Sequence, residues 1–297
     1  MDWVALGETA LDVIVRVFVI SSMFTLGART KPADFLVTVR FPLLLGAVLL
    51  ANFVLIPAWA FGVSGVLGLP LEIHQGVVIL GFVAGAPFVF QLGTIARENV
   101  GVLAGAMALL LVGTAVVTPL VLPLVLPGAA VDALQLALLL ASTMLLPLAV
   151  GMAFRALAPG LAPRIAPWTG KLAFASMIGM IVVQLAISLP VLTAVGWRPY
   201  AAAILLIAGA FGIGWLTGFA GRGTGVTPVG TAILASQRNM AAGMLVATSS
   251  FGNAAVTIIM VTGMVAFAAL VPLCRWIGAR RAARELGDPP AAGGRPA

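Results

Sequence analysis

The sequence predicts an all-α polytopic membrane protein. Three observations carry that expectation: the apolar content, the length of the apolar runs, and the alternation of basic residues between successive loops. The chain has 297 residues, of which 62% are hydrophobic and 8% charged. A soluble domain is about 25% charged, and much of its surface must be wetted, so lipid is the solvent this composition fits. The net charge of +7 is then a matter of loop placement, because cytoplasmic loops retain Lys and Arg; no nucleic-acid partner is expected. The single cysteine, Cys274, excludes an internal disulfide and a cysteine metal cluster. Met1 to Gly7 lacks a basic stretch, and Asp2, Glu8 and Asp12 interrupt the first apolar run, so no cleavable leader is expected.

A spanning helix needs about 20 mostly apolar residues. On that measure nine spans are predicted, at approximately 8–27, 41–63, 75–96, 100–126, 133–157, 168–190, 199–220, 229–248 and 252–277. The linkers at 97–99 and 249–251 are short, but merging either pair would leave a helix too long for one bilayer. Arg280 to Ala297 is polar and rich in Arg, Pro and Gly, and is expected to be a disordered cytoplasmic tail after a transmembrane domain at 1–279.

The charges test this count. Arg29, Lys31, Arg40, Arg97, Arg155, Arg164, Lys171, Arg222, Arg275, Arg280, Arg281, Arg284 and Arg295 all fall on one side, which makes 13 of 16 basic residues. The other side holds only Arg198, and only Arg16 and Arg238 lie inside spans. Positive loops stay in the cytoplasm. The expected placement is therefore a multi-pass protein of the cell's inner (plasma) membrane, N-terminus outside and C-terminus cytoplasmic. Spans 2–4 and 7–9 then have opposite orientation, the inverted-repeat plan of many transporters, whose site lies at the midplane on discontinuous helices.

Two spans are predicted to be broken. The third holds Gly85-Ala86-Pro87 in mid-span, followed by Gln91, Gly93 and Thr94; the eighth holds Ser236-Gln237-Arg238-Asn239, followed by Gly243. A mid-helix proline removes a hydrogen bond and clashes with the preceding turn. These are the middle members of the two inverted units. Pro87, Gln91, Thr94, Ser236, Gln237, Arg238 and Asn239 are accordingly the candidate substrate-binding residues. A charge at the bilayer centre is costly. Arg238 therefore has two readings: a contact for an anionic substrate, or a structural cation held by helix-end carbonyls.

Other polar residues read more simply. Asp12 and Arg16 are four apart and are expected to pair on one helix face. Glu72 and His74 flank the outer end of the third span, and Glu98 is expected to be solvated in a cytoplasmic turn. Gly221-Arg222-Gly223-Thr224-Gly225 follows a membrane span rather than a strand, which argues against a phosphate loop. Trp3, Trp59, Trp197 and Trp276 fall near span ends, where interface anchors belong. The sequence displays no catalytic constellation, so an enzyme is not expected.

Four stretches share the order and spacing of a known family. They are Met23-Phe24-Thr25-Leu26-Gly27 with Lys31-Pro32-Ala33-Asp34-Phe35, Leu69-Pro70-Leu71-Glu72-Ile73 leading into Gly85-Ala86-Pro87, Ala96-Arg97-Glu98-Asn99-Val100, and the polar break ending in Asn239. Over roughly residues 10–275 the chain resembles the bile acid:sodium symporter family. The resemblance implies a ten-span inverted-repeat fold, or nine spans where the first is missing. It implies a core of spans 2–4 and 7–9 (approximately 41–126 and 199–277), with spans 3 and 8 crossing at their breaks. Spans 1, 5 and 6 (approximately 8–27 and 133–190) would form a panel against which the core moves in alternating access.

The departures are as informative. Where the family has Pro-Gly-Gly-Thr-Ala-Ser-Asn, this chain has Pro87-Phe88-Val89-Phe90-Gln91-Leu92-Gly93. The family's Glu aligns with Leu234, and its Gln with Arg238. A sodium ion needs oxygen ligands to offset its desolvation, and Leu92, Gly93 and Leu234 supply none from their side chains. No metal or other cofactor is therefore expected. The expected function is secondary active transport of a small organic anion by alternating access, independent of sodium and working by uniport, exchange or proton coupling. The alternatives are a solute channel, or a sensor-like family member without turnover. Oligomeric state is not written in the sequence.

Overall fold

A computed structural model describes residues 3–30, 39–126, 132–194 and 196–287. Lys31-Pro32-Ala33-Asp34-Phe35 and residues 288–297 lie outside the described residues. Every described element is helical. In chain order they are α1 (Trp3–Arg29), α2 (Pro42–Leu67), α3 (Leu71–Phe82), α4 (Phe88–Ile95), α5 (Val100–Val125), α6 (Ala133–Leu157), α7 (Ala162–Ala194), α8 (Arg198–Thr217), α9 (Pro228–Ser236), α10 (Met240–Ser250) and α11 (Asn253–Gly287). Six of them are long and apolar enough to cross a membrane: α1, α2, α5, α6, α8 with its terminal 3₁₀ turn, and α11. Their outer faces are apolar, with Leu43, Val66, Leu124 and Leu157 all largely exposed, as a lipid-facing surface requires.

Polar side chains set where the helices start. Asn99 Oδ1 accepts from Val102 N at 3.4 Å at the head of α5. Asp132 Oδ1 accepts from the backbone N–H groups of Leu134 and Gln135 at the head of α6. Each contact satisfies an N–H that the first turn leaves without an internal partner. Two spans carry a π-bulge, Ala51–Leu55 in α2 and Ala141–Leu145 in α6. Each lies just ahead of a proline, Pro57 and Pro147. The proline has no N–H to donate, and the widened turn before it shifts the ladder by one residue.

Glycines set how closely helices approach. α1 packs between α6 and α7. A Cβ on Gly27 would meet the carbonyl of Leu148, and one on Gly151 would meet the carbonyl of Phe24. The other helices build a second bundle, in which α8 packs on α9 and α2, and α11 packs on α3, α8 and α10.

Two expectations are corrected. The segment from Arg280 is not disordered as far as Gly287, because α11 continues helical to that residue. Nor is Glu98 solvated: its side chain is fully buried, and its Oε1 pairs with Arg281 Nη2 at 2.8 Å. Glu98 also accepts from the Thr227 N–H at 3.1 Å and the Thr227 hydroxyl at 2.6 Å, at the head of α9. Arg281 donates further to the carbonyls of Ala96 and Arg97. One buried carboxylate thus ties the α4–α5 turn, α9 and the extension of α11 together, and that tie holds the extension helical.

Candidate functional site

Both predicted breaks exist, and each follows from its residues. α3 ends at Phe82, and residues 83–87 run without helix to Pro87, which precedes α4. Gly85 has φ +76, and a Cβ there would lie 2.6 Å from Leu111 N. Only glycine fits that backbone in that space. Thr114 on α5 fixes Ala84 from both sides, accepting from its N–H at 2.8 Å and donating to its carbonyl at 3.0 Å. The second break separates α9 from α10 at Gln237, Arg238 and Asn239.

The two breaks meet. Asn239 N donates to Val83 O at 3.1 Å, and Asn239 Nδ2 donates to Gly85 O at 3.2 Å and Ala84 O at 3.4 Å. Its Oδ1 meanwhile accepts from Ala242 N at 3.1 Å, capping α10. One asparagine therefore starts its own helix and fills acceptors of the other break. Buried backbone carbonyls need partners, and those of Val83, Ala84 and Gly85 all have one.

Arg238 supplies the next ones. It is 2% exposed. Its Nε donates to Leu80 O at 2.8 Å, Nη2 to Gly81 O at 2.7 Å, and Nη1 to Ala235 O at 3.2 Å and Asn52 Oδ1 at 2.6 Å. Leu80 and Gly81 end α3, and Ala235 ends α9. A helix C-terminus carries a partial negative charge, so two of them converging on one guanidinium favour its cation. The Asn52 side chain completes the set from the π-bulge of α2. Buried cations require such pairing, and here carbonyl dipoles provide it without a carboxylate.

An open cavity lies on the other side of the breaks, between them and α1 and α7. Pro87, Gln91, Gln237, Arg238 and Asn239 line it. Two candidate residues do not. Thr94 bonds back to Phe90 O at 2.8 Å, and Ser236 to Ala232 O at 2.7 Å. The cavity is walled by the first residues of α4 and α10, Phe88, Met240 and Ala241, so the positive ends of two half-helices border it. Apolar walls come from Phe18, Phe174, Met177 and Phe267. Phe88 and Phe267 stack edge-on, with ring centroids 4.6 Å apart.

Sequence reasoning missed several members of this site. Asn52 and Thr114 are polar residues in apolar spans that also hold Ser64 and Thr118, and nothing local sets them apart. Arg29 read as a loop cation, yet it lines the cavity. Away from the cavity, the expected Asp12–Arg16 pair forms at 2.9 Å. Ser64 Oγ and His74 Nδ1 lie 2.6 Å apart, a pairing that the sequence separation of ten did not reveal.

A family model described as the Sodium Bile acid symporter family matches residues 16–195. No curated protein matches the chain.

Proposed function

Since the chain belongs to the sodium bile acid symporter family, we propose that it is a secondary transporter of a small organic anion, working by alternating access without sodium. The observation that carries this is the division of labour at the breaks. The C-terminal ends of α3 and α9 converge on a cation, and the N-terminal ends of α4 and α10 border a cavity. Discontinuous transporter helices use their C-terminal ends for coupling ions and their N-terminal ends for anionic substrates. In this chain the cation is the guanidinium of Arg238, a side chain that cannot leave. The structural reading of Arg238 is therefore favoured over direct substrate contact.

The topology goes with this reading. The nine-span arrangement counts α3 with α4 and α9 with α10 as one interrupted span each, and adds α7 to the six long helices. α2–α5 and α8–α11 then form two inverted units of a core, and α1, α6 and α7 a panel. The cavity lies between core and panel and reaches Arg29 and Gly170, on the side where the basic loops gather. With positive loops inside, the conformation is open to the cytoplasm of a plasma-membrane protein whose N-terminus is outside.

Thermal stability of the purified protein tests this, measured with a panel of organic anions in sodium or choline chloride, alongside counterflow in proteoliposomes. A ligand of the folded state raises its apparent stability. The expected result is an anion-dependent shift of equal size in both salts, with saturable exchange. A shift seen only in sodium would overturn the sodium-independent reading. Neither a shift nor exchange with any anion would overturn transport.

A further inference from the structure

We propose that α7 and α11, at their ends on the side of the basic loops, each hold the headgroup of an anionic phospholipid, gripped by a basic side chain that lies over a tryptophan ring. The ligand is a lipid of the leaflet on that side rather than a transported solute, so these sites are independent of the cavity.

The first observation is one arrangement repeated on two helices. On α7, Lys171 Nζ lies 4.6 Å from the centre of the Trp168 ring, and exposed Arg164 is one turn before that ring. On α11, Arg280 Cζ lies 3.8 Å from the centre of the Trp276 ring, and exposed Arg284 is one turn beyond Arg280. Both rings are open to the surroundings, Trp168 at 70% and Trp276 at 52% exposure. A ring face attracts a cation without taking up its hydrogen-bond donors. Each cation is thus positioned while its N–H groups stay open to an acceptor. A tryptophan that only anchors a helix at the interface needs no cation over it: Trp59, toward the far end of α2, instead donates to Leu205 O at 2.8 Å.

The second observation is the charge balance. The sequence holds no acid between Asp132 and Glu285, a stretch that includes Arg164, Lys171, Arg280 and Arg284. None of these four has a carboxylate partner among the described residues. Glu285 is nine residues from Trp276, two and a half helical turns, so its backbone position is on the opposite side of α11 from the ring. That opposite side is already engaged. Arg281 pairs there with Glu98, and a Cβ on Gly278 would meet Ile95 O. The face with Trp276, Arg280 and Arg284 is left outward.

The depth of both clusters fits a headgroup. Exposed Leu172, Ile178 and Val182 follow Lys171 along α7, so Trp168 marks where the lipid-facing stripe gives way to charge. At 1.5 Å per residue, Arg164 to Lys171 rises about 10 Å and Trp276 to Arg284 about 12 Å. The headgroup layer is roughly 5–8 Å thick on each side of a bilayer, so either cluster spans it. The acceptor on offer there is a phosphodiester. A zwitterionic lipid brings its own cation to that phosphate; an anionic lipid leaves its charge for the protein's.

Native mass spectrometry of the full chain in detergent counts bound lipid during titration with dioleoylphosphatidylglycerol or dioleoylphosphatidylcholine, with the lipid-free melting midpoint confirming folding. Wild type should retain two phosphatidylglycerol molecules in preference to phosphatidylcholine. Each basic residue near a charged lipid surface is worth about 5-fold in affinity. The pairs Arg164→Gln with Lys171→Gln, and Arg280→Gln with Arg284→Gln, should therefore each weaken one bound lipid about 25-fold and spare the other. Trp168→Leu and Trp276→Leu should weaken the same lipids about 2- to 5-fold. Arg198→Gln removes an exposed arginine beyond the far end of α7 and should change neither. A double variant that keeps both lipids at wild-type affinity overturns the site on that helix. Unchanged affinity in both tryptophan variants overturns the role of the rings. An equal loss in Arg198→Gln replaces defined sites with diffuse charge. No preference for phosphatidylglycerol in wild type overturns the proposal outright. Displacement of the lipid by inorganic phosphate, but not by chloride of equal ionic strength, assigns the sites to a free anion instead.

Discussion

On the sodium-independent reading, replacing Arg238 with alanine should create a cation site where the guanidinium now sits. The substitution strips partners from four oxygens: the carbonyls of Leu80, Gly81 and Ala235, and Asn52 Oδ1. Three are backbone groups at the ends of two short helices, and none can turn away. Each buried orphan acceptor costs about 1–3 kcal/mol. Against that stands the desolvation that the buried charge no longer suffers, and water entering from the cavity relieves part of the loss. Removing one partner of a buried charged set costs about 3–5 kcal/mol in practice. At about 2–4 °C per kcal/mol for a chain approaching this size, the melting midpoint should fall by roughly 6–20 °C. The oxygens left behind make a cage for a small cation. If guanidinium bound it with a dissociation constant near 10 mM, 100 mM would restore about 1.4 kcal/mol. The assay is a melting curve of wild type and Arg238→Ala in choline, sodium and low guanidinium chloride, with Arg238→Met as the uncharged control that fills the space. A wild-type midpoint retained by Arg238→Ala in choline would refute the claim that the guanidinium holds the breaks together. A fall with no cation rescue would refute the cage.

Other outcomes follow from contacts already described. Gly85→Ala combines a backbone with φ +76 and a Cβ 2.6 Å from Leu111 N, so the folded yield in size-exclusion chromatography should collapse. Glu98→Ala removes the carboxylate shared by Arg281 and Thr227 and should cost about 2–4 kcal/mol, read as a lower melting midpoint. Arg281→Ala should cost less, since its side chain is about a quarter exposed. Gly27→Val would wedge α1 off α6 at Leu148 and Gly151, and limited proteolysis should then cut α1 faster than in wild type.

Much of this was legible in local sequence. Gly85 and Pro87 announce a break because one tolerates positive φ and the other lacks an N–H, and both properties belong to single residues. Arg238 stood out because a charge in an apolar run has few explanations. Glu98 was misread for the opposite reason. Beside Arg97 it looks like half of a solvated surface pair, while its partners, Thr227 and Arg281, lie 129 and 183 residues further on. The same holds for Asn52, which lies 186 residues from Arg238. The helical extension to Gly287 was hidden too. Its composition is that of a free tail, and only the long-range contact of Arg281 explains its order.

The tethering of the cation has a thermodynamic consequence. An ion that can bind and leave brings the energy of its own gradient to every cycle; a side chain in the wall has no gradient and performs no work. On the proposed reading sodium supplies no pump stroke, and a carrier of this kind working by uniport lets its substrate relax to electrochemical equilibrium. A potential of 100 mV, negative inside, is worth about 2.3 kcal/mol per charge. A monovalent anion moving alone would then settle at roughly 50-fold lower concentration inside than outside. In a cell that makes such an anion, the protein would act as an overflow valve.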